Sequence, residues 1–200
     1  MGGVTAQDVK KLRDETSAGM LDCKKALAEA DGDFEKAKEV LRKKGVAAVA
    51  KRSDREAGEG YISSYVHHGG KVGVLVEVRC ETDFVARTDE FQKIGKTVAM
   101  QVAVSNPSYL SKEEVPEDIL EKERKFVSEE ASGSGKPENI VEKIVTGRIE
   151  KFYKEICLLE QEFLISSESE AKTVNDFVNE SAAKLGEKIE VTGFRRMELG

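Results

Sequence analysis

Residues 72–80 read Val-Gly-Val-Leu-Val-Glu-Val-Arg-Cys, and this alternation constrains the fold more than any other stretch. Val72, Val74, Val76, Val78 and Cys80 fall on one side, against Gly73, Leu75, Glu77 and Arg79, which is the two-residue period of a half-buried strand. The pattern then stops at Thr82-Asp83, a capping signal ahead of a helical face formed by Phe91, Ile94, Val98, Ala99 and Val102. A strand therefore delivers Asp83 and Phe84 to a turn. Two readings of that turn are open: Asp83 caps the helix and Phe84 staples it to the core, or the pair is a probe with one charged group and one apolar wedge.

Ahead of this stretch, residues 5–15 place Val9 and Leu12 on one helical face, residues 20–30 place Leu21, Ala26 and Leu27, and residues 34–44 place Phe34, Ala37, Val40 and Leu41. Three short helices are expected, with turns at Ser17-Ala18-Gly19 and Asp31-Gly32-Asp33 and with Asp33 as a cap. Residues 45–59 read either as a helical extension fading into a linker or as a continuation of the third helix packed on the main domain. Residues 61–66 form a second strand, joined to the first by His67-His68-Gly69-Gly70-Lys71, a loop of hairpin length. A helix over 89–104 ends before Asn106-Pro107, and two charged segments, 113–130 and 137–154, suggest an antiparallel helical pair joined by Ser132-Gly133-Ser134-Gly135-Lys136-Pro137. Residues 155–165 turn strand-like, 172–185 return to helical spacing, and 188–198 read as a strand. Strands, helices, strand, helix, strand is the order of an α+β domain with an antiparallel sheet, not of a doubly wound parallel one.

Composition excludes several classes. The three cysteines, Cys23, Cys80 and Cys157, are odd in number and lack a C-x-x-C spacing, which argues against a disulfide framework or a zinc site and for a reducing cytoplasm. The net charge of −6 is uneven: residues 1–57 hold 13 Lys/Arg against 11 Asp/Glu, so the remainder is strongly acidic, and nucleic acid is not expected as a partner. No apolar run approaches the roughly eighteen residues needed to span a bilayer, no signal peptide is expected, and Ala6 stands where myristoylation wants Ser or Thr. Ser134-Gly135-Lys136 resembles the end of a phosphate-binding loop, but Glu130 replaces its first glycine and Pro137 its metal-holding hydroxyl residue. His67 and His68 have no acid–base or metal partners nearby in the chain, and no nucleophile has a base beside it, so neither metal, cofactor nor covalent catalysis is expected.

The residues Cys80-Glu81-Thr82-Asp83-Phe84-Val85-Ala86-Arg87 resemble the Thr-Asp-Phe-Val signature of the elongation factor Ts family, guanine-nucleotide exchange factors of elongation factor Tu. Leu12-Arg13 and the run Thr16-Ser17-Ala18-Gly19-Met20-Leu21-Asp22-Cys23-Lys24-Lys25-Ala26-Leu27 resemble the same family's amino-terminal signature, with Ser17 where the family usually has Gly. The resemblance implies a ubiquitin-associated-type three-helix module with a linker helix over 1–55 and a core, dimerisation domain over 56–200. It implies that Thr82, Asp83, Phe84 and Val85 meet elongation factor Tu, with Asp83 and Phe84 entering its GTPase domain and displacing groups that hold the magnesium ion. It further implies contacts from Lys10, Arg13, Met20, Leu21, Lys24 and His68. Packing within the three helices is the other reading of Met20 and Leu21, and a hairpin tip that of His68. The expected function is exchange without covalent chemistry. The alternative is an adaptor whose module binds helical or ubiquitin-like partners. Longer relatives carry two sheet-bearing halves where this chain has room for one, so a homodimer is expected, unless residues 113–154 cover the sheet.

Overall fold

A computed structural model describes residues 4–16, 18–133, 137–165, 169 and 171–200. The chain forms helices α1 (Ala6–Thr16), α2 (Met20–Glu29) and α3 (Phe34–Ala50), then strands β1 (Glu59–Val66) and β2 (Val72–Cys80). Helices α4 (Asp83–Ala86), α5 (Asp89–Ser105), α6 (Glu117–Ser132) and α7 (Glu138–Ile156) follow, and α8 (Val174–Leu185) leads into β3 (Ile189–Glu198). Two compact units result, one drawn from Met1–Gly60, Arg79–Phe91 and Val178–Glu190, the other from Tyr61–Val78, Gln92–Phe177 and Val191–Gly200.

In the first unit, α1, α2 and α3 enclose a core of Val9, Leu12, Cys23, Ala26, Leu27, Ala30 and Ala37, edged by Phe34, Val40 and Leu41. Asp31, at φ 51°, and Gly32, at φ 83°, reverse the chain between α2 and α3. Asp33 caps α3 by accepting the N–H of Lys36 at 3.1 Å, as the sequence predicts. Leu21 departs from expectation: it is 63% exposed, because the buried face of α2 runs through Cys23, Ala26 and Leu27 and Leu21 lies on the opposite side of the helix. Ser17, placed in the turn between α1 and α2, lies outside the described residues. The helical extension predicted after residue 44 is real as far as Ala50, and Gly45 permits the close approach of α8, since a Cβ there would lie 3.3 Å from the Cβ of Ala183.

The sheet has the order β1-β2-β3 and is antiparallel. His67 N–H bonds to the carbonyl of Val72 at 2.8 Å, closing the hairpin, and Gly69 and Gly70 supply the positive φ of its tip. The ends of β2 and β3 match in reverse, with Leu199 N–H on the carbonyl of Lys71 and Lys188 N–H on the Glu81 side chain. Val74, Val76, Val78 and Cys80 are buried, which is the face the alternation predicts. In the second unit α5 rests on the strands at Gly95, where a Cβ would come within 2.9 Å of the Ser63 Cβ and 3.3 Å of Val78 Cγ2. A methyl group fixed to the backbone cannot rotate away from that contact. Gly95→Ala is therefore expected to destabilise the chain by about 1–3 kcal/mol, a strain larger than the roughly 1 kcal/mol of helix propensity that alanine gains. A urea midpoint at or above that of the parent chain counts against this packing.

Helices α6 and α7 pack on one another, burying Leu120, Val127 and Ala131 from one and Val141 and Ile149 from the other. Pro116 and Pro137 immediately precede them, where a missing N–H is tolerated. Residues 134–136 of the predicted connecting turn, which include the rejected phosphate-loop tripeptide, lie outside the described residues. The strand expected over 155–165 is absent from the described chain: α7 continues to Ile156 and is followed by a 3₁₀ turn at Leu158–Glu160. Isolated bridges, Tyr109 with Cys157 and Glu162 with Thr173, and side chains together satisfy this segment in place of a continuous ladder. Gln161 Nε2 donates to the carbonyl of Glu155 at 3.0 Å, Ser105 Oγ donates to Gln161 Oε1 at 2.5 Å, and Gln101 Nε2 reaches the carbonyl of Glu162 at 3.0 Å.

Candidate partner-binding site

β2 ends at Cys80, whose buried thiol lies 3.2 Å from the carbonyl of Thr82 and is pushed up to about 11 by burial. Thr82 itself is extended, at φ −128° and ψ 150°, and its Oγ1 accepts the N–H of Val85 at 3.3 Å. This is the N-cap of α4. The cap is Thr82 and not Asp83, so the capping reading shifts by one residue and releases Asp83 for other contacts. One turn of helix then sorts the signature by face: Val85 and Ala86 are buried, whereas Phe84 is 78% exposed. Phe84 therefore does not staple the helix. Asp83, also exposed, pairs with Arg87 at 3.0 Å, a surface pair of small worth that another charge can replace. Thr88 Oγ1 accepts the N–H of Phe91 at 3.3 Å and starts α5.

The backbone below this projection is held by two carboxylates. Glu187 accepts from the N–H groups of Glu81 and Thr82 and from the Thr82 hydroxyl, while Glu81 accepts from Lys188 N–H and Arg55. The Lys188 N–H, and secondarily the Arg55 guanidinium, hold the Glu81 carboxyl below the usual carboxylate range. These partners were not legible from the signature. Glu187 lies 106 positions beyond Glu81, and its only local mark is that it follows Gly186 at the end of a helical pattern.

In the same unit, Lys10 and Arg13 are exposed on α1, and Met20, Leu21 and Lys24 are exposed at the start of α2. Neither Met20 nor Leu21 belongs to the three-helix core. The structure thus gathers Thr82, Asp83, Phe84 and Val85 on one turn and the five module residues on two helix surfaces, with Val85 turned inward. His68 sits at the exposed hairpin tip in the other unit, beside His67, whose Nδ1 lies 3.1 Å from the Tyr65 hydroxyl. Among the described residues, no group of three or more His, Cys, Asp or Glu side chains could hold a metal ion, and no helix is long and apolar enough to cross a membrane.

Residues 7–200 match the family model described as Elongation factor TS. The chain is 57% identical to the elongation factor Ts of Thermoanaerobacter sp. (strain X514) over 98% of its own length and 95% of that protein's. It belongs to the elongation factor Ts family. Relatives of the same name in Caldanaerobacter subterraneus subsp. tengcongensis and Fervidobacterium nodosum are 55% and 52% identical, each over 98% of this chain and over 97% and 98% of theirs. As a member of this family, the chain takes part in translation elongation and hence in protein biosynthesis.

Proposed function

We propose that this chain is a guanine-nucleotide exchange factor for elongation factor Tu, acting through protein binding without covalent chemistry, metal or cofactor of its own. The observation that carries the reading is Phe84, an aromatic side chain 78% exposed on a turn whose neighbours Val85 and Ala86 anchor it inward. Exposed large aromatics on rigid turns are what interfaces bury at their centres. Phe84 acts as a wedge in the GTPase domain, and Asp83 exchanges Arg87 for hydrogen-bond donors that otherwise help to hold nucleotide and magnesium. Binding of the factor and binding of nucleotide then weaken each other by the same factor, as linkage requires. The module over residues 1–55 grips the GTPase domain through Lys10, Arg13, Met20, Leu21 and Lys24, and His68 adds a contact from the core domain over 56–200. The site of action is the cytoplasm, where translation runs. The test is release of labelled GDP from elongation factor Tu: acceleration by catalytic amounts of this chain is expected, and an unchanged rate overturns the proposal.

The chain acts as a homodimer on the same reading, with two copies binding two copies of elongation factor Tu. Support comes from β1, an edge strand with Ile62 64% and Val66 66% exposed, since an open apolar edge favours pairing with a second copy. Light scattering at low micromolar concentration is expected to give about twice the 22.0 kDa chain mass. A mass of one chain removes the dimer.

A further inference from the structure

Helix α4 has only four residues, too few to hold an orientation by its own hydrogen bonds. Its anchorage comes from the end of α8. Gly186, at φ 77°, closes that helix by donating its N–H to the carbonyl of Ala182 at 3.0 Å, and this reversal brings Glu187 to the signature turn. Glu187 Oε2 accepts the N–H of Glu81 at 3.1 Å and of Thr82 at 3.2 Å, and Oε1 accepts the Thr82 hydroxyl at 2.6 Å. The clasp is reciprocal, for Glu81 Oε1 accepts the N–H of Lys188 at 2.6 Å, and Arg55 Nη1 donates to both Glu81 oxygens at 3.3 and 3.1 Å. Lys188 Nζ completes it by donating to the carbonyls of Ser53 and Arg55 at 2.8 and 3.0 Å. One atom is shared by the clasp and the helix cap. Thr82 Oγ1 donates to Glu187 and at the same time accepts the N–H that caps α4, so the anchoring bond also orients the cap.

We propose that Glu187 is a positioning residue of the exchange surface: its carboxylate fixes Thr82, and through Thr82 the exposed Asp83-Phe84 pair, without touching elongation factor Tu itself. The exchange arm of this inference rests on the proposed function; the fixing of the turn does not. Removing the carboxylate leaves two backbone N–H groups and a hydroxyl without their acceptor, and the turn opens to reach water instead. Phe84 then enters the partner from an ensemble of orientations, only a fraction of them productive.

Cys80 gives a readout independent of exchange, because its thiol is buried under the same turn while Cys23 and Cys157 are buried elsewhere. In the full chain, Glu187→Ala is expected to speed Cys80 labelling by a thiol reagent about tenfold or more, with Cys23 and Cys157 unchanged. The maximal rate of GDP release from elongation factor Tu at saturating factor is expected to fall about tenfold. Glu187→Gln keeps an acceptor oxygen for the two N–H groups and should recover most of both losses. Unaltered Cys80 labelling overturns the proposal, as does faster labelling with undiminished release when Phe84→Ala slows it. If Glu187→Ala exposes all three thiols, Glu187→Gln decides: a rise confined to Cys80 supports the proposal, and a general rise overturns it. If Phe84→Ala releases GDP at the parental rate, the wedge mechanism fails on its own account. The labelling arm then still supports or overturns the fixing of the turn by Glu187.

Discussion

Phe84→Ala slows factor-stimulated GDP release more than tenfold, a loss of about 2 kcal/mol or more in the exchange complex, and leaves the melting profile of the chain in place. Both halves of the expectation follow from exposure. A side chain 78% exposed in the isolated protein can be truncated without opening a cavity, so the fold loses little. The same side chain loses all its contacts if it is the centre of an interface. Asp83→Ala should act in the same direction, with a smaller effect because the carboxylate gives up its pairing with Arg87 on binding. Stopped-flow measurement with labelled GDP checks both variants. Parental kinetics in Phe84→Ala sink the wedge, and a lowered melting midpoint would mean that the ring supports the core after all.

Leu12→Ala is expected to unfold the three-helix module while the helices and strands of the second unit persist. Leu12 is fully buried, and alanine at such a site costs about 2–5 kcal/mol. A core as small as Val9, Leu12, Cys23, Ala26, Leu27, Ala30 and Ala37 rarely supplies more than about 3–5 kcal/mol, so the loss matches the whole of its stability. Lys10 and Arg13 flank Leu12 on α1, and with α1 melted neither they nor Met20, Leu21 and Lys24 keep a common scaffold. Circular dichroism should show a partial loss of helix at room temperature, and the concentration of factor needed for half-maximal exchange should rise. Full helicity in the variant contradicts the small-core account.

The parts of this structure that were legible in the sequence are those set by short-range periodicity. The valines of β2 alternate because one face is buried, and Asp33 sits where α3 needs an acceptor, whereas the sequence puts the cap after β2 one residue late, at Asp83 instead of Thr82. Leu21 is apolar like Ala26 and Leu27, but at about 100° per residue it falls on the far side of α2 from Cys23, Ala26 and Leu27, so its character and not its spacing groups it with them. The apolar residues Ile156, Leu158 and Phe163 mimic a strand, yet their backbone groups bond to Ser108, Tyr109 and Lys172, partners fixed only in three dimensions. Exposure of Phe84 follows from the helical turn at Asp83–Ala86, whose face assignment a four-residue signature does not contain.

The clasp between Glu81 and Glu187 joins positions 106 apart, and β3, which completes the sheet on β2, comes later still in the chain. Closing so long a loop is slower than folding three adjacent helices, whose contacts are all local. During synthesis the module can therefore fold while the signature turn, already outside the ribosome, still lacks its acceptor. A nascent chain stopped before Gly186 carries the Thr-Asp-Phe-Val residues without the groups that hold them. Order of manufacture thus separates two events, the folding of the module and the setting of the turn, and the short stretch after Gly186 is what supplies the turn with its acceptor.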